Sequence, residues 1–351
     1  MAVDLETRIR NAWLGRVSGC MLGKPVEILS MRQGHDALTN YLSTAGAVEL
    51  RDYVPLVPDT MVASLFPETC RGHLEVAIPD DDINYTVLAL MLIEQYGLDF
   101  TTEDVGRAWL SWLPGGMTFT AERKAYVHLL EKAGMGFTFG VPAAFDIAEC
   151  ADNEFNDWIG AQIRADLYGW IVPGQPQLAA EFARRDAALS HAAEGVYGAQ
   201  FVAAAGAALV GGASIPDAVE AAAATIPAES ECAVAIDLAR RVASRGDGPA
   251  EIHATYADLS PVHTINNLAL VVWGLTRGAD DFSVAIGDTV AAGWDTDCNG
   301  ATVGALWGLT GRSIPAHWSD PWQGRIQTSL AGVGELHVDD LIARTVAICQ
   351  R

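Results

Sequence analysis

The sequence predicts an all-α protein that folds as one large helical domain with long irregular loops. Apolar residues recur mostly at three- and four-residue spacing, which is typical of helices, and alternating strand patterns are scarce. The 351-residue chain exceeds the usual length of a single domain, yet it contains no linker, low-complexity run or fixed-period repeat. We therefore predict a single domain over residues 1–351.

The first predicted helix runs from Asp4 to Leu22. Its apolar residues, among them Ile9 and Trp13, lie on one face at helical spacing. Pro25 follows closely, and because proline lacks the backbone N–H that a helix interior needs, we expect the helix to end there.

A second clear helix covers residues 83–96, with Gly97 well placed to stop it. Further helices are predicted at 102–113, 121–133, 158–171, 176–186, 191–211, 214–225, 229–244, 263–277, 281–292 and 298–311. Alanine-rich runs at 203–208 and 221–224 suit tight helix packing, because small side chains let two backbones approach.

The least regular region is residues 28–80, which is rich in glycine and proline. Stretches near 47–57 and 75–78 could be extended, but they do not amount to a sheet. An ordered loop of this length inside a compact domain is usually functional.

The composition is strongly acidic: 22 Lys and Arg against 44 Asp and Glu give a formal net charge of −22. Nucleic acid and anionic membrane surfaces are therefore poor partners, since both select cationic proteins. The N-terminus lacks the basic-then-apolar order of a secretion signal, so we expect a cytoplasmic location. The oligomeric state is left open.

The first acidic cluster is Asp80-Asp81-Asp82, directly before the helix predicted at 83–96. A single aspartate there would be explained as a helix cap. Three adjacent carboxylates repel one another unless a cation or solvent absorbs the charge, and capping needs only one of them.

The second cluster is Gly293-Trp294-Asp295-Thr296-Asp297-Cys298, between two apolar helical stretches. Asp-x-Asp on a tight turn points two carboxylates the same way, as hard cations require, although Asp297 as a helix cap is the plainer alternative. Trp294 is a candidate for stacking on a base, with core packing as its alternative.

Taken together, two acidic helix starts separated by more than 200 residues could converge on one pocket. Four or five carboxylates there would have to share metal ions, and Mg²⁺ is the natural occupant because no thiolate or histidine cluster competes. Glu27, after the small-residue turn at 15–26, is a further acid near the first helix.

With these segments in their order, the sequence resembles the ADP-ribosylglycohydrolase family from about Arg8 to Leu309. The resemblance implies an all-α fold that holds a pair of Mg²⁺ ions between helices. It implies metal ligands at Asp80, Asp81, Asp82, Asp295, Asp297 and Cys298. It also implies a catalytic acid or base at Glu27 or Asp82.

The resemblance further implies a substrate cleft. His191 matches a histidine of that cleft, and Gly160 and Arg164 match a turn that faces the diphosphate. We include Asn84 and Trp294 among the substrate-binding candidates. Three departures stand out: aspartate replaces threonine at position 80, cysteine replaces threonine or serine at 298, and Asn84 and Tyr85 differ from what the protein-ADP-ribose hydrolases usually show. In addition, Cys20 stands where many members have aspartate.

The implied activity is metal-dependent hydrolysis of a bond at C1 of a ribose, in an ADP-ribosylated acceptor or a related ribosyl compound. The metals would grip the ribose hydroxyls and orient a water. One alternative is a hydrolase of small ribosylated molecules, such as nucleosides or nucleotide sugars. Another is a non-catalytic binding or structural member of the same fold, which the two cysteines favour.

Overall fold

The computed structural model describes residues 3–350, and helices dominate it, which confirms the all-α prediction. The α-helices are α1 (Leu5–Thr44), α2 (Met61–Leu65), α3 (Asp81–Tyr96), α4 (Thr102–Trp112), α5 (Thr120–Lys132), α6 (Gly134–Thr138), α7 (Asp166–Trp170), α8 (Pro176–Ala187), α9 (Ala193–Val210), α10 (Ile215–Ala223), α11 (Glu231–Ser244), α12 (Ala250–Thr255), α13 (Thr264–Arg277), α14 (Phe282–Ala291), α15 (Thr296–Gly308) and α16 (Val338–Cys349).

Short 3₁₀ helices connect several of them, at Pro67–Thr69, Gly115–Met117, Ile147–Ala151, Ile159–Arg164, Ala316–Trp318 and Asp320–Trp322. In the described part of the chain, the sheet consists of two antiparallel strands, β1 (Arg325–Gln327) and β2 (Glu335–His337), with Ile326 opposite Leu336. Ala77 forms an isolated parallel bridge to Ile326, so the stretch near 75–78 is extended but adds no strand.

Helix α1 is longer than predicted, because Pro25 does not end it. The helix runs for 40 residues, and its break in helical geometry comes at Gly34, where φ is +81°. A proline in a helix interior costs about 3 kcal/mol. The burial of α1 on both sides of Pro25 offsets that cost, since Leu22 and Val26 are fully buried.

Helices α1 and α15 pack antiparallel along several turns, from Asn11 beside Gly308 to Gly23 beside Thr296, with glycines at the contact. A Cβ atom on Gly15 would lie 2.0 Å from the carbonyl oxygen of Gly304, and one on Gly19 would lie 2.0 Å from that of Gly300. Only glycine permits such a close backbone approach. This packing brings the middle of α1 to the N-terminus of α15, where Gly23 lies against Thr296.

Most of the predicted helices are confirmed, including 83–96 with Gly97 at its C-terminus. The helix predicted at 158–171 is wrong in form: the chain makes a 3₁₀ helix at Ile159–Arg164 and then α7. Two arginines take its carbonyls, Arg16 that of Ile163 and Arg164 that of Gly160. A continuous α-helix would bond these groups internally.

The irregular region is shorter than predicted, because α1 extends to Thr44 and two short helices interrupt the rest. Helix α16 lies beyond the helices that the sequence pattern predicts. It packs back on α1, where the indole of Trp13 donates a 3.0 Å hydrogen bond to the Thr345 hydroxyl.

The alanine-rich α9 is a core helix, as its composition predicted. A Cβ on Gly169 would lie 2.2 Å from the carbonyl of Ala203. Helix Ala193–Val210 is long and apolar enough to cross a membrane, but 78% of that stretch is buried inside the protein, as in the core helix of a globular fold. All six cysteines, which lie within residues 3–350, are free thiols.

Candidate metal and substrate site

The two acidic turns and the middle of α1 converge on one site. The Lys24 ammonium joins them: its Nζ lies 2.7 Å from Asp80 Oδ2, 3.1 Å from Asp297 Oδ2 and 2.8 Å from Glu27 Oε2. Asp82, Asp297 and Cys298 can bring ligand atoms within 4.8 Å of one another. Residues more than 200 positions apart therefore form one cluster, as predicted.

The start of α3 presents the first aspartates. Asp80 is the N-cap, and its carboxylate accepts a 3.0 Å hydrogen bond from the Asp82 backbone N–H. Burial raises the pKa of Asp80, but the Lys24 ammonium and the Asp82 N–H together hold it below its usual range. Burial, followed by the neighbouring Asp80 charge, raises the pKa of Asp81 to about 8.

The start of α15 presents the second pair through a tight turn. Gly293 and Trp294 have φ values of +87° and +58°, in the left-handed region. The side chain of Asn267 fixes the first turn of α15: its Oδ1 accepts hydrogen bonds from the Asp295 backbone N–H at 3.3 Å and from Asn299 Nδ2 at 2.7 Å. Asp295 and Asp297 are thereby turned inward and buried.

A fully buried arginine supports the cluster from behind. Arg16 donates to Asp166 Oδ2 at 2.8 Å, to the Asp82 carbonyl at 2.9 Å and to Asp82 Oδ1 at 3.3 Å. Burial raises the pKa of Asp82 well above its usual value, although Arg16 lowers it. Arg16 therefore holds Asp82 in place through both its backbone and its carboxylate.

The carboxylates fit a hard divalent cation. Asp82 Oδ2 and Asp295 Oδ1 are buried with no hydrogen-bond partner among the described residues, which is costly for a polar atom. Three groups can each surround an ion: Cys20, Asp80 and Asp82; Asp82, Asp297 and Cys298; and Glu27, Asp295 and Asp297. The two thiols are poor ligands for Mg²⁺, whereas the carboxylates suit it.

A cavity of about 460 Å³ opens over the cluster. Its polar floor consists of Lys24, Glu27, Asp80, Asp81, Asp295 and Cys298. Apolar side chains form the walls, including Phe66, from the irregular segment after α1, and Phe119, next to α5. A concave, mostly apolar pocket with a few converging polar groups is the usual form of a small-molecule site.

Gly160 lines this cavity, as the resemblance implied, but Arg164 lies behind the wall. The Arg164 guanidinium is buried and donates to Glu122 at 2.6 Å, to Ser190 at 2.9 Å and to Asp186. A Cβ on Gly160 would lie 2.0 Å from Glu122 Oε1. Contrary to what the resemblance implied, Arg164 therefore does not reach a diphosphate in the cavity. It holds Glu122 in position instead, and Glu122 lines the cavity.

Three other substrate-binding candidates also lie outside the cavity lining formed by the described residues. His191 is buried, with Nδ1 2.8 Å from Ser190 Oγ, and burial lowers its pKa well below the usual value. Asn84 is fully buried and accepts a hydrogen bond from the Ser329 N–H. The Trp294 ring lies 4.3 Å from that of His253, so packing explains it better than base stacking.

The sequence did not reveal Arg16, Asp166 and Asn267 as parts of the site. Arg16 carried a signal: it is the one charged residue in the apolar, glycine-rich stretch 11–23, where only a buried partner makes a charge tolerable. Asn267 carried none, since the asparagine pair Asn266-Asn267 in a mostly apolar helix does not indicate which groups it bonds.

The match to known proteins covers almost the whole chain. A family model described as ADP-ribosylglycohydrolase matches residues 1–346. The chain belongs to the ADP-ribosylglycohydrolase family. The acidic turns and the α1 segment of this family member are the elements that carried the resemblance.

A solved structure described as an "ADP-ribosylglycohydrolase-related protein complex" is similar in fold. The similarity has a TM-score of 0.59 at 19% sequence identity and covers 99% of this chain and 98% of the other. No curated protein matches this family member. The similarity to the solved structure therefore establishes the fold alone.

Proposed function

We propose that this ADP-ribosylglycohydrolase family member is a Mg²⁺-dependent hydrolase that cleaves a bond at C1 of a ribose, in an ADP-ribosyl or closely related ribosyl compound. The observation that carries the proposal is the convergence of Asp80–Asp82 and Asp295–Asp297 beneath a single cavity. An inert scaffold would gain nothing from burying so many like charges, because each buried carboxylate costs stability unless a cation compensates it.

Mg²⁺ would be held by Asp81, Asp82, Asp295 and Asp297, and the resemblance implies two ions. When bound, Mg²⁺ would orient the ribose hydroxyls and a water and would neutralise developing negative charge. Asp82 serves only as a metal ligand in this proposal. Because it is fully buried and bonded to Arg16, we do not retain it as the catalytic acid or base.

Glu27 is the candidate for proton transfer. Its carboxylate is 16% exposed, lines the cavity and lies beside the metal-binding aspartates. In this proposal Glu27 Oε1 accepts a proton from the attacking water, while Oε2 is kept in position by Lys24 at 2.8 Å. The chain thereby orients the base through an ion pair within one turn of α1.

The rest of the cavity would bind the substrate. Its volume of about 460 Å³ falls within the range of small-molecule sites. Phe66 and Phe119 offer apolar surface for a base, and Glu122 offers a carboxylate that can accept hydrogen bonds from hydroxyl groups. An ADP-ribosyl group is anionic and the carboxylates of the site would repel it, so its approach would depend on the bound cation.

A substrate panel tests the proposal. The protein with Mg²⁺ is incubated with ADP-ribosylated protein, small ADP-ribosyl compounds and nucleosides, and the released sugar is measured by liquid chromatography and mass spectrometry. We expect release from at least one ADP-ribosyl compound, none after Mg²⁺ is removed by chelation, and none from Glu27→Gln. The control is Glu229→Gln, at an exposed glutamate that does not line the cavity.

Release from nucleosides alone would favour the small-molecule alternative. Mg²⁺ binding without release from any member of the panel would contradict the hydrolase and favour a binding protein of the same fold.

A further inference from the structure

The Lys24 ammonium occupies the interior of the carboxylate cluster rather than its edge. It touches one carboxylate from each of the three segments that build the site: Glu27 on α1, Asp80 before α3 and Asp297 on α15, at 2.7–3.1 Å. Its side chain is only 12% exposed. Besides the three carboxylates, the ammonium also faces the ring of Phe66, whose centroid lies 5.1 Å from Nζ.

The chain has three lysines, and Lys124 shows how unusual this placement is. Lys124 pairs with Glu154 at 2.8 Å, but both side chains are at least half exposed. An exposed pair of that kind contributes little. Lys24, in contrast, gives up most of its hydration, and three carboxylates replace it.

One of the three candidate cation positions shares two carboxylates with Lys24. Glu27 and Asp297 are two of the three residues in the group that includes Asp295, and both are already bound to Lys24. A divalent ion placed there would compete with the ammonium for these two carboxylates, and the two positive charges would repel each other.

A second position is less affected. The group of Asp82, Asp297 and Cys298 shares only Asp297 with Lys24, and Asp82 Oδ2 is buried without a hydrogen-bond partner among residues 3–350. An oxygen of this kind, fully withdrawn from solvent, needs a cation or a proton.

We propose that Lys24 is a permanent cation of the site, held between Glu27, Asp80 and Asp297 where it takes the place of an ion beside Glu27 and Asp297, so that each chain binds one divalent ion, at Asp82 and Asp297, instead of two. This inference rests on the metal site of the proposed function. It reduces the ion count that the family resemblance implies and assigns Lys24 a positioning role for Glu27.

Metal stoichiometry tests the inference without any measurement of activity. Full-length wild type, Lys24→Met and Lys124→Met are titrated with Mg²⁺ by calorimetry and with Mn²⁺ by electron paramagnetic resonance, which distinguishes an isolated ion from two adjacent, spin-coupled ions. We expect one ion per chain in wild type and in Lys124→Met, and two adjacent ions in Lys24→Met.

Thermal unfolding with and without Mg²⁺ shows whether each variant is folded. Lys24→Gln, which keeps a polar side chain of similar reach, serves as the second variant and is expected to bind two ions as well. Two ions in wild type, or one in both folded Lys24 variants, would overturn the role of Lys24. No binding in any protein would instead contradict the metal site of the proposed function.

Discussion

The Thr296 hydroxyl donates a 2.8 Å hydrogen bond to the carbonyl oxygen of Gly23, 273 positions earlier in the chain. This contact locks the N-terminus of α15 against the middle of α1. Lys24 and Asp297, the neighbours of the two bonded residues, are thereby brought to 3.1 Å from each other. The geometry of the site is a consequence of how closely these two helices approach.

Gly19→Ala is expected to destabilise the fold. The added methyl would lie 2.0 Å from the Gly300 carbonyl oxygen, a backbone atom that cannot move without separating the helices. Overpacking of this kind costs about 3 kcal/mol. Urea unfolding measures the change, and Gly248→Ala, which meets nothing within 4 Å, is the control and should change stability by less than about 0.5 kcal/mol. Equal stability of the two variants would contradict this packing of α1 against α15.

Asp297→Asn is expected to abolish turnover and to weaken Mg²⁺ binding by on the order of 100-fold, since the loss of a supporting group alone costs roughly 10- to 100-fold. The unfolding of the metal-free protein should be nearly unchanged, because Lys24 keeps its contacts with Asp80 and Glu27. Calorimetry and thermal unfolding provide the two measurements.

Asp258→Asn, at an exposed aspartate outside the cavity lining, is the matched control. An Asp297→Asn protein as active as this control would exclude Asp297 from the site.

Cys298→Thr is expected to raise the affinity for Mg²⁺. Cys298 lines the cavity floor and can approach Asp82 and Asp297, so a hydroxyl there would replace a soft sulfur with a hard oxygen. Calorimetric titration of the variant against wild type measures the effect. Cys349→Ser, on the far helix α16, should leave the affinity as it was. An unchanged affinity in Cys298→Thr would mean that residue 298 does not coordinate the ion.

His253 is expected to make stability depend on pH in the acidic range. Burial, and then the neighbouring His35, lower its pKa to about 4. Below pH about 6.5 the unfolded chain therefore binds a proton at this residue that the folded chain does not, so stability falls as the pH drops from about 6.5 toward 4.

The test compares wild type with His253→Gln, which can still donate to the Ala292 carbonyl that His253 Nε2 meets at 2.8 Å. Urea unfolding at pH 7.5 and pH 5.0 should show a smaller loss of stability in the variant. The same loss in both proteins would place the acid sensitivity elsewhere, for example in the carboxylates.

Local sequence patterns were enough to predict the all-α class, most of the helices and the two acidic turns. These properties depend on the spacing of apolar residues and on runs of like charge. Both are local features of the sequence and can be seen without knowing how distant segments pack. The sequence also shows the glycines of α1 and α15, but it does not show that those of one helix pack against those of the other.

Packing between distant segments decided that α1 passes through Pro25, that Arg164 supports Glu122 from behind the wall, and that Lys24 lies among three carboxylates. Each of these depends on contacts between segments far apart in the chain. A local preference of a few kcal/mol, such as that of proline against helix, yields when the packing of a buried helix outweighs it.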